Sequence, residues 1–176
     1  MGNKKNSGAD LADRNGLQNG WMPITCGAMA GEYRITKLIE RGGMGWIYAA
    51  DHPVINKKAA VKIVRSDFLD HEDTVSRFID EARAVNLIGH PNIVDIFAFG
   101  RLESGHPYFV MEYLAGQTLR RRLRTGPPLN DQELKTIISG TLKALAAAHR
   151  AGVVHRDLKP DNIFLKNVSA RGFEVK

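Results

Sequence analysis

HRDLKPDNIFL, residues His155 to Leu165, decides how the rest of the chain is read. Six of its first eight residues are polar or charged, yet Val153 and Val154 precede it and Ile163, Phe164 and Leu165 close it. Ionic groups set between apolar segments are costly unless they are paired or bind something. Asp157 can accept a hydroxyl proton, Lys159 can neutralise phosphate, and the Asn162 amide oxygen can ligate Mg²⁺. All three fall in one short loop between a helix and a strand. An Asp followed five positions later by Asn, in that setting, is a far more specific signal than a glycine turn.

Further toward the N-terminus the sequence supplies companions for these groups. In RGGMGWIY (Arg41 to Tyr48), Gly42, Gly43 and Gly45 let backbone amides approach a ligand that a side chain would exclude, and successive amides attract phosphate. Alone, the stretch reads equally as a hairpin turn with no ligand. Lys62 sits inside AAVKIV, a strand that inserts one cation among small and branched apolar residues. A lysine snorkelling from an edge strand has the same pattern. Glu81 follows Phe78 by three and precedes Val85 by four, so it flanks its helix's apolar stripe and faces inward more than Asp80 does. A surface pair with Arg77 is the alternative. Taken together, an inward Glu and an inward Lys argue for an ion pair that positions an anion.

Composition bounds the class. With 176 residues, 43% hydrophobic and 25% charged, the chain is globular and long enough for one ordinary domain or a two-lobed unit. The lone Cys26 excludes an internal disulfide and points to a reducing, cytoplasmic compartment. No apolar run approaches the ~18 residues that span a bilayer. MGNKKNSG is too polar for a secretory signal, and Asn6 stands where a myristoylation signal needs Ser or Thr. No membrane segment is expected. A formal charge of +6 and a pI near 9.6 favour anionic partners: nucleotide phosphates, acidic peptides or nucleic acid. LRRRLR (Leu119 to Arg124) concentrates that charge, and a solvated helix face accounts for it. Without aromatic stacking residues or a nucleic-acid motif nearby, no nucleic acid is expected.

The chain divides into three stretches. Residues 1–32, rich in Gly, Asn and Ala, read as a flexible leader. From Tyr33, YRITKLIE, WIYAAD, KKAAVKIV, IVDIFAFG and PYFVMEYL read as five strands. Between the third and fourth lies one helix, opened by acidic residues from Asp70 and striped with Val75, Phe78, Ile79, Ala82 and Val85. Past Leu114 the pattern is mainly helical. Asn130 and Glu133 form a capping-box pattern ahead of a stripe of Leu134, Ile137, Ile138, Leu142 and Leu145, and Gly152 is the stop. FEVK reads as the start of a last strand with no obvious partner.

In this order, the motifs resemble the protein-kinase family, particularly the bacterial serine/threonine kinases of eukaryotic type, from about Tyr33 to the end. RGGMGWIY is similar to the glycine-rich loop, AAVKI to the strand lysine motif and HRDLKPDN to the catalytic loop. FIDEARAV, HPNIV and FVMEYL match the helix glutamate, the segment after it and the hinge, and Lys159 in HRDLKP favours the serine/threonine over the tyrosine subfamily.

The resemblance implies an α+β fold. Residues 33–114 would form a five-stranded antiparallel small lobe with one key helix, plus the hinge. Residues 115–176 would form the first, mainly helical part of the large lobe. It also implies ATP and Mg²⁺ as cofactors and protein Ser/Thr hydroxyls as acceptors. Ile39, Glu40, Arg41, Gly42, Gly43, Met44, Gly45, Trp46 and Ile47 would cover the nucleotide. Ile39, Ile47, Ala60 and Phe164 would sandwich adenine, Met111 would stand behind it, and the backbones of Glu112 and Leu114 would bond its edge. Lys62, held by Glu81, would grip the α- and β-phosphates. Asp157 would orient and deprotonate the hydroxyl, with Lys159 near the γ-phosphate and Asn162 on a metal ion. Arg156 implies an activation segment that docks a phosphate.

Two departures stand out. Glu40 occupies the place of the first loop glycine, and no Asp follows Asp161, so the D-F-G aspartate is missing. The 176 residues are therefore expected to be a truncated kinase domain, a protein serine/threonine kinase by family whose activity in this form is in question. A non-catalytic nucleotide-binding module is the alternative. A basic nucleic-acid binder built on Arg120, Arg121, Arg122 and Arg124 is a third reading, the weakest of the three.

Overall fold

The computed structural model of the chain describes residues 24–43, 45–69, 71–169 and 172–176. Its larger sheet is antiparallel, in the order β1-β2-β3-β4-β6-β5. The strands are β1 (Met29–Ala30), β2 (Tyr33–Arg41), β3 (Gly45–Asp51), β4 (Lys58–Val64), β5 (Ile96–Arg101) and β6 (Pro107–Glu112). Five of these are the expected strands and β1 is additional. It corrects the leader expected over residues 1–32 in its last part. Met29 and Ala30 pair with Arg34 and Tyr33, and Ala30 is fully buried. The Ile24 N–H donates to the Tyr48 hydroxyl at 3.2 Å, and burial pushes that phenol up to about 12. Three scattered apolar residues, Ile24, Ala28 and Ala30, suffice to dock this segment on the core. They form no periodic run that a sequence pattern would register. Residues 1–23 lie outside the described residues.

Strand alternation sorts the sheet into two faces. Directly opposed residues share a face, so Ile47, Lys62 and Phe109 go together, as do Ala49, Ala60 and Met111. Tyr48, Ala50, Val61, Ile63, Tyr108 and Val110 fall on the other face and form one core with Tyr33, Ile35 and Trp46. The first face receives α1 (Glu72–Ile88), whose Phe78 and Ala82 pack with Val64, Ile96 and Phe109. The Phe78 and Phe109 rings stack at 4.7 Å. His71 is the N-cap of α1, without a side-chain hydrogen bond, and the expected opening residue Asp70 lies outside the described residues. The helix ends at Gly89, whose φ of +51° suits a residue without Cβ.

A second, three-stranded sheet, β7-β8-β9, carries the rest: β7 (Gly116–Thr118), β8 (Phe164–Ser169) and β9 (Gly172–Val175). It supplies the partner that FEVK was expected to lack, since β9 pairs with β8 along Leu165↔Val175 and Lys166↔Glu174. The polar Lys166 and Asn167 hide the strand pattern of β8 in the sequence. Between β7 and β8 run α2 (Leu119–Thr125) and α3 (Asp131–Arg150). The α3 capping box is complete, with the Asn130 side chain accepting from the Glu133 N–H and the Glu133 carboxylate accepting from the Asn130 N–H. The apolar stripe of α3 divides. Ile137 packs with Leu119, Leu165 and Val175, whereas Leu134, Ile138 and Leu142 are exposed.

Candidate active site

Lys62 lies mid-strand in β4 on the face that meets α1, so its side chain must leave the sheet toward that helix. It passes the Phe78 and Phe109 rings, with Nζ 5.8 and 5.4 Å from their centroids, and reaches both Glu81 carboxylate oxygens at 2.6 and 2.8 Å. Glu81 is held in place by its own helix, whose Phe78 and Ala82 are locked in the core one turn before and one residue after it. The expected pair therefore forms, but at the edge of the core: the two side chains are 18% and 43% exposed. Among the described residues Glu81 pairs with Lys62 rather than with Arg77, the alternative partner.

Around this cation the sheet arranges the expected nucleotide residues unevenly. Ile47, Ala60 and Met111 share the Lys62 face. Ile39 is the extra residue of a bulge, since Leu38 faces Tyr48 and Glu40 faces Ile47, and it is half-exposed. Trp46 points to the opposite face, buried near Tyr48, with the Arg41 guanidinium 5.0 Å over its ring, so only its backbone borders the turn. The turn is closed by the Gly42 N–H donating to the Gly45 carbonyl at 2.9 Å. A Cβ on Gly45 would sit 2.6 Å from the Ile63 carbonyl oxygen, whereas one on Gly43 would meet open space. Glu40 is exposed, and Met44 lies outside the described residues.

The HRDLKPDN loop gathers its three candidates. Lys159 Nζ is 2.7 Å from Asp157 Oδ2. The Asn162 amide nitrogen donates to the Asp157 carbonyl at 2.9 Å and to its carboxylate at 3.2 Å. The hydrogen bond from Lys159, with help from Asn162, holds the exposed Asp157 carboxyl below its ordinary value. It is therefore ionised at neutral pH and able to accept a hydrogen bond from a hydroxyl. Arg156, just before it, has φ of +59°, a left-handed conformation that costs a side-chain-bearing residue about 1–3 kcal/mol. Strain of that kind persists where surrounding structure fixes the backbone, here around Asp157.

Contacts that sequence reasoning did not find tie the two sheets together. Glu112, expected to act through its backbone, sends its carboxylate to Lys166 at 3.1 Å and also to Lys176. Its N–H donates to the Asp95 carbonyl at 2.9 Å, so a ligand can meet only its carbonyl. The Asn92 side chain donates to the Val175 carbonyl at 2.8 Å. Arg120 Nε is 2.6 Å from Asp161 Oδ2, joining α2 to the HRDLKPDN loop. The side-chain partners are 41 to 83 residues apart, and no local pattern announces them. Leu114 is half-buried at the crossing between sheets, and the Phe164 ring lies against Gly116.

The residues fit a nucleotide better than they fit a complete metal site. Lys62 supplies a fixed cation beside an apolar face, the arrangement an adenine and its phosphates need. The Asn162 amide nitrogen is spent on Asp157, which leaves its oxygen as the acceptor a hard cation takes. Among the described residues no group of three or more His, Cys, Asp or Glu converges as a metal site. Mg²⁺ keeps waters and substrate phosphates as most of its ligands, so one amide oxygen is a partial but usable share.

Comparison with known proteins shows the family. The family described as "Protein kinase domain" matches residues 33–175. Curated relatives include serine/threonine-protein kinase pkn3 of Myxococcus xanthus, 42% identical over 78% of this chain and 25% of its own. Pkn1 of the same organism is 44% identical over 79% of this chain and 20% of its own. PrkC of Bacillus subtilis is 36% identical over 80% and 22%. The chain thus spans a quarter or less of these relatives' lengths. Two solved structures support the fold alone. A mutant of the Mycobacterium tuberculosis PknI kinase domain superposes with a TM-score of 0.72 at 22% identity, over 88% of this chain and 60% of its own. The apo form of PpkA-294 gives 0.74 at 22%, over 82% and 58%.

Proposed function

The chain belongs to the protein kinase domain family, on its bacterial serine/threonine side, and from that membership we propose that it binds ATP with Mg²⁺ and transfers the γ-phosphate to Ser or Thr hydroxyls of proteins. In this reading residues 33–114 are the small lobe and hinge, and 115–176 the first part of the large lobe. The reaction takes place in the cytoplasm. The observation that carries it is the Lys62–Glu81 pair on the sheet face shared by Ile47, Ala60 and Met111.

Residues take the following roles. The glycine turn between β2 and β3 covers the phosphates with backbone amides, and Ile39, Ile47, Ala60 and Phe164 enclose the adenine. Lys62 fixes the α- and β-phosphates, and Glu81 fixes Lys62. Asp157 orients the acceptor hydroxyl and takes its proton as the new O–P bond forms and the bond to the β-phosphate oxygen breaks. Lys159 offsets charge on the transferred group, and Asn162 holds one Mg²⁺, which would neutralise phosphate charge. Such a site gains rate chiefly by positioning and charge neutralisation.

A second reading is a nucleotide-binding module without transfer. It is favoured by Asp157, whose carboxylate is already held by Lys159 and Asn162. Labelled-phosphate transfer from ATP to serine-containing proteins separates the two. Transfer that vanishes in Asp157→Asn supports the kinase, nucleotide binding with no transfer supports the module, and no nucleotide binding contradicts both.

A further inference from the structure

We propose that the arginine face of α2 is the docking surface for acidic protein substrates, holding Asp or Glu side chains that flank the Ser or Thr to be phosphorylated. The proposal rests on the kinase reading and names its substrate class.

The first observation is location. Arg120 bonds Asp161, the residue beside Asn162, and α2 lies against the 3₁₀ turn Pro160–Asn162. The helix is thereby fixed next to the loop that carries Asp157. Arg124 follows Arg120 by four residues and Arg121 by three, so it neighbours each of them on the helix surface. With Thr118 and Thr125 they line a cavity of about 430 Å³.

The second observation is charge. Arg122 turns the other way, to the Glu133 carboxylate and the Pro127 carbonyl. Arg120 is bound to Asp161 through Nε and is half-exposed. Arg121 and Arg124 are exposed, and no carboxylate of the described residues pairs with either. The acids of the neighbouring loop are cancelled internally: Asp157 by Lys159 and Asp161 by Arg120. A basic peptide approaching the phosphoacceptor position would find no uncompensated carboxylate in the loop, while an acidic one would find two uncompensated guanidiniums. Guanidinium groups also match carboxylates with paired hydrogen bonds. The face has no aromatic residue for base stacking, so protein is favoured over nucleic acid.

The test uses the 176-residue chain and fluorescent peptides with a central Ser flanked by Glu or by Lys. Anisotropy titration is expected to show the Glu peptide binding about tenfold more tightly, a preference that shrinks as salt rises. Arg121→Glu with Arg124→Glu should abolish or invert the preference, and the corresponding double Ala variant should abolish it. Fluorescent ATP should bind all three proteins equally. Equal binding of the peptides, a Lys preference, or a Glu preference unchanged in both double variants would overturn the proposal. A random DNA duplex binding more tightly than the Glu peptide would overturn it too. Absence of ATP binding by the unaltered chain would instead overturn the kinase reading beneath it.

Discussion

The Lys62 ammonium lies 2.6 and 2.8 Å from the two carboxylate oxygens of Glu81, nineteen residues away in sequence, and couples the sheet to α1. The pair is too exposed to matter much for folding. Ion pairs reached by solvent contribute about 0.2–1 kcal/mol. Its value is positional: Glu81 fixes where the cation points, and the stacked Phe78 and Phe109 fix Glu81.

Lys62→Met should therefore weaken nucleotide binding about tenfold or more while leaving the melting temperature nearly unchanged. Glu81→Gln should do the same to a smaller degree. Fluorescent-ATP titration beside thermal melts checks both. A large loss of stability with unchanged nucleotide affinity would reverse the assignment.

Phe78→Ala should cost stability as well as affinity. Phe78 is 2% exposed and stacked on Phe109, and truncating such a ring costs about 3–5 kcal/mol. Denaturant unfolding should show that loss, and nucleotide affinity should fall as well because α1 no longer carries Glu81 in register.

The glycine turn gives a paired contrast. Gly45→Ala drives a Cβ to 2.6 Å from a backbone oxygen and should cost about 1–3 kcal/mol, read by chemical denaturation. Gly43→Ala meets nothing within 4 Å, so its stability should match wild type while ATP affinity falls, because the methyl stands where the phosphates need bare backbone.

Glu112 links stability to pH. Burial alone would raise its carboxyl, but hydrogen bonds from Lys176, the Asp95 N–H and Lys166 outweigh that and hold it below its ordinary value of 4.5. A depressed carboxyl stabilises the fold fully above the unfolded value and loses that contribution as pH falls through the folded one. Glu112→Gln should destabilise the protein at neutral pH. The gap from wild type should close as pH drops below 4.5, which urea unfolding at several pH values measures.

Much of the site was legible in the sequence because its parts are local. Strand alternation put Lys62 inside a strand, helical spacing turned Glu81 inward, and Asp157, Lys159 and Asn162 sit within six residues of one another. What escaped was either long-range or split between faces. Trp46 sits in the expected loop, yet alternation turns its ring to the other side of the sheet. The Glu112 carboxylate reaches lysines 54 and 64 residues away, and Arg120 reaches Asp161 across 41. Residues 24–30 dock by a few apolar contacts too sparse to make a periodic pattern.

The most direct test of the account is a titration of the chain with ATP and Mg²⁺, followed by thermal or denaturant unfolding. At ligand about a hundredfold above its dissociation constant, about 2.7 kcal/mol of stabilisation is expected, cut to about 1.4 kcal/mol or less in Lys62→Met. No stabilisation, or the same stabilisation in Lys62→Met, would contradict it.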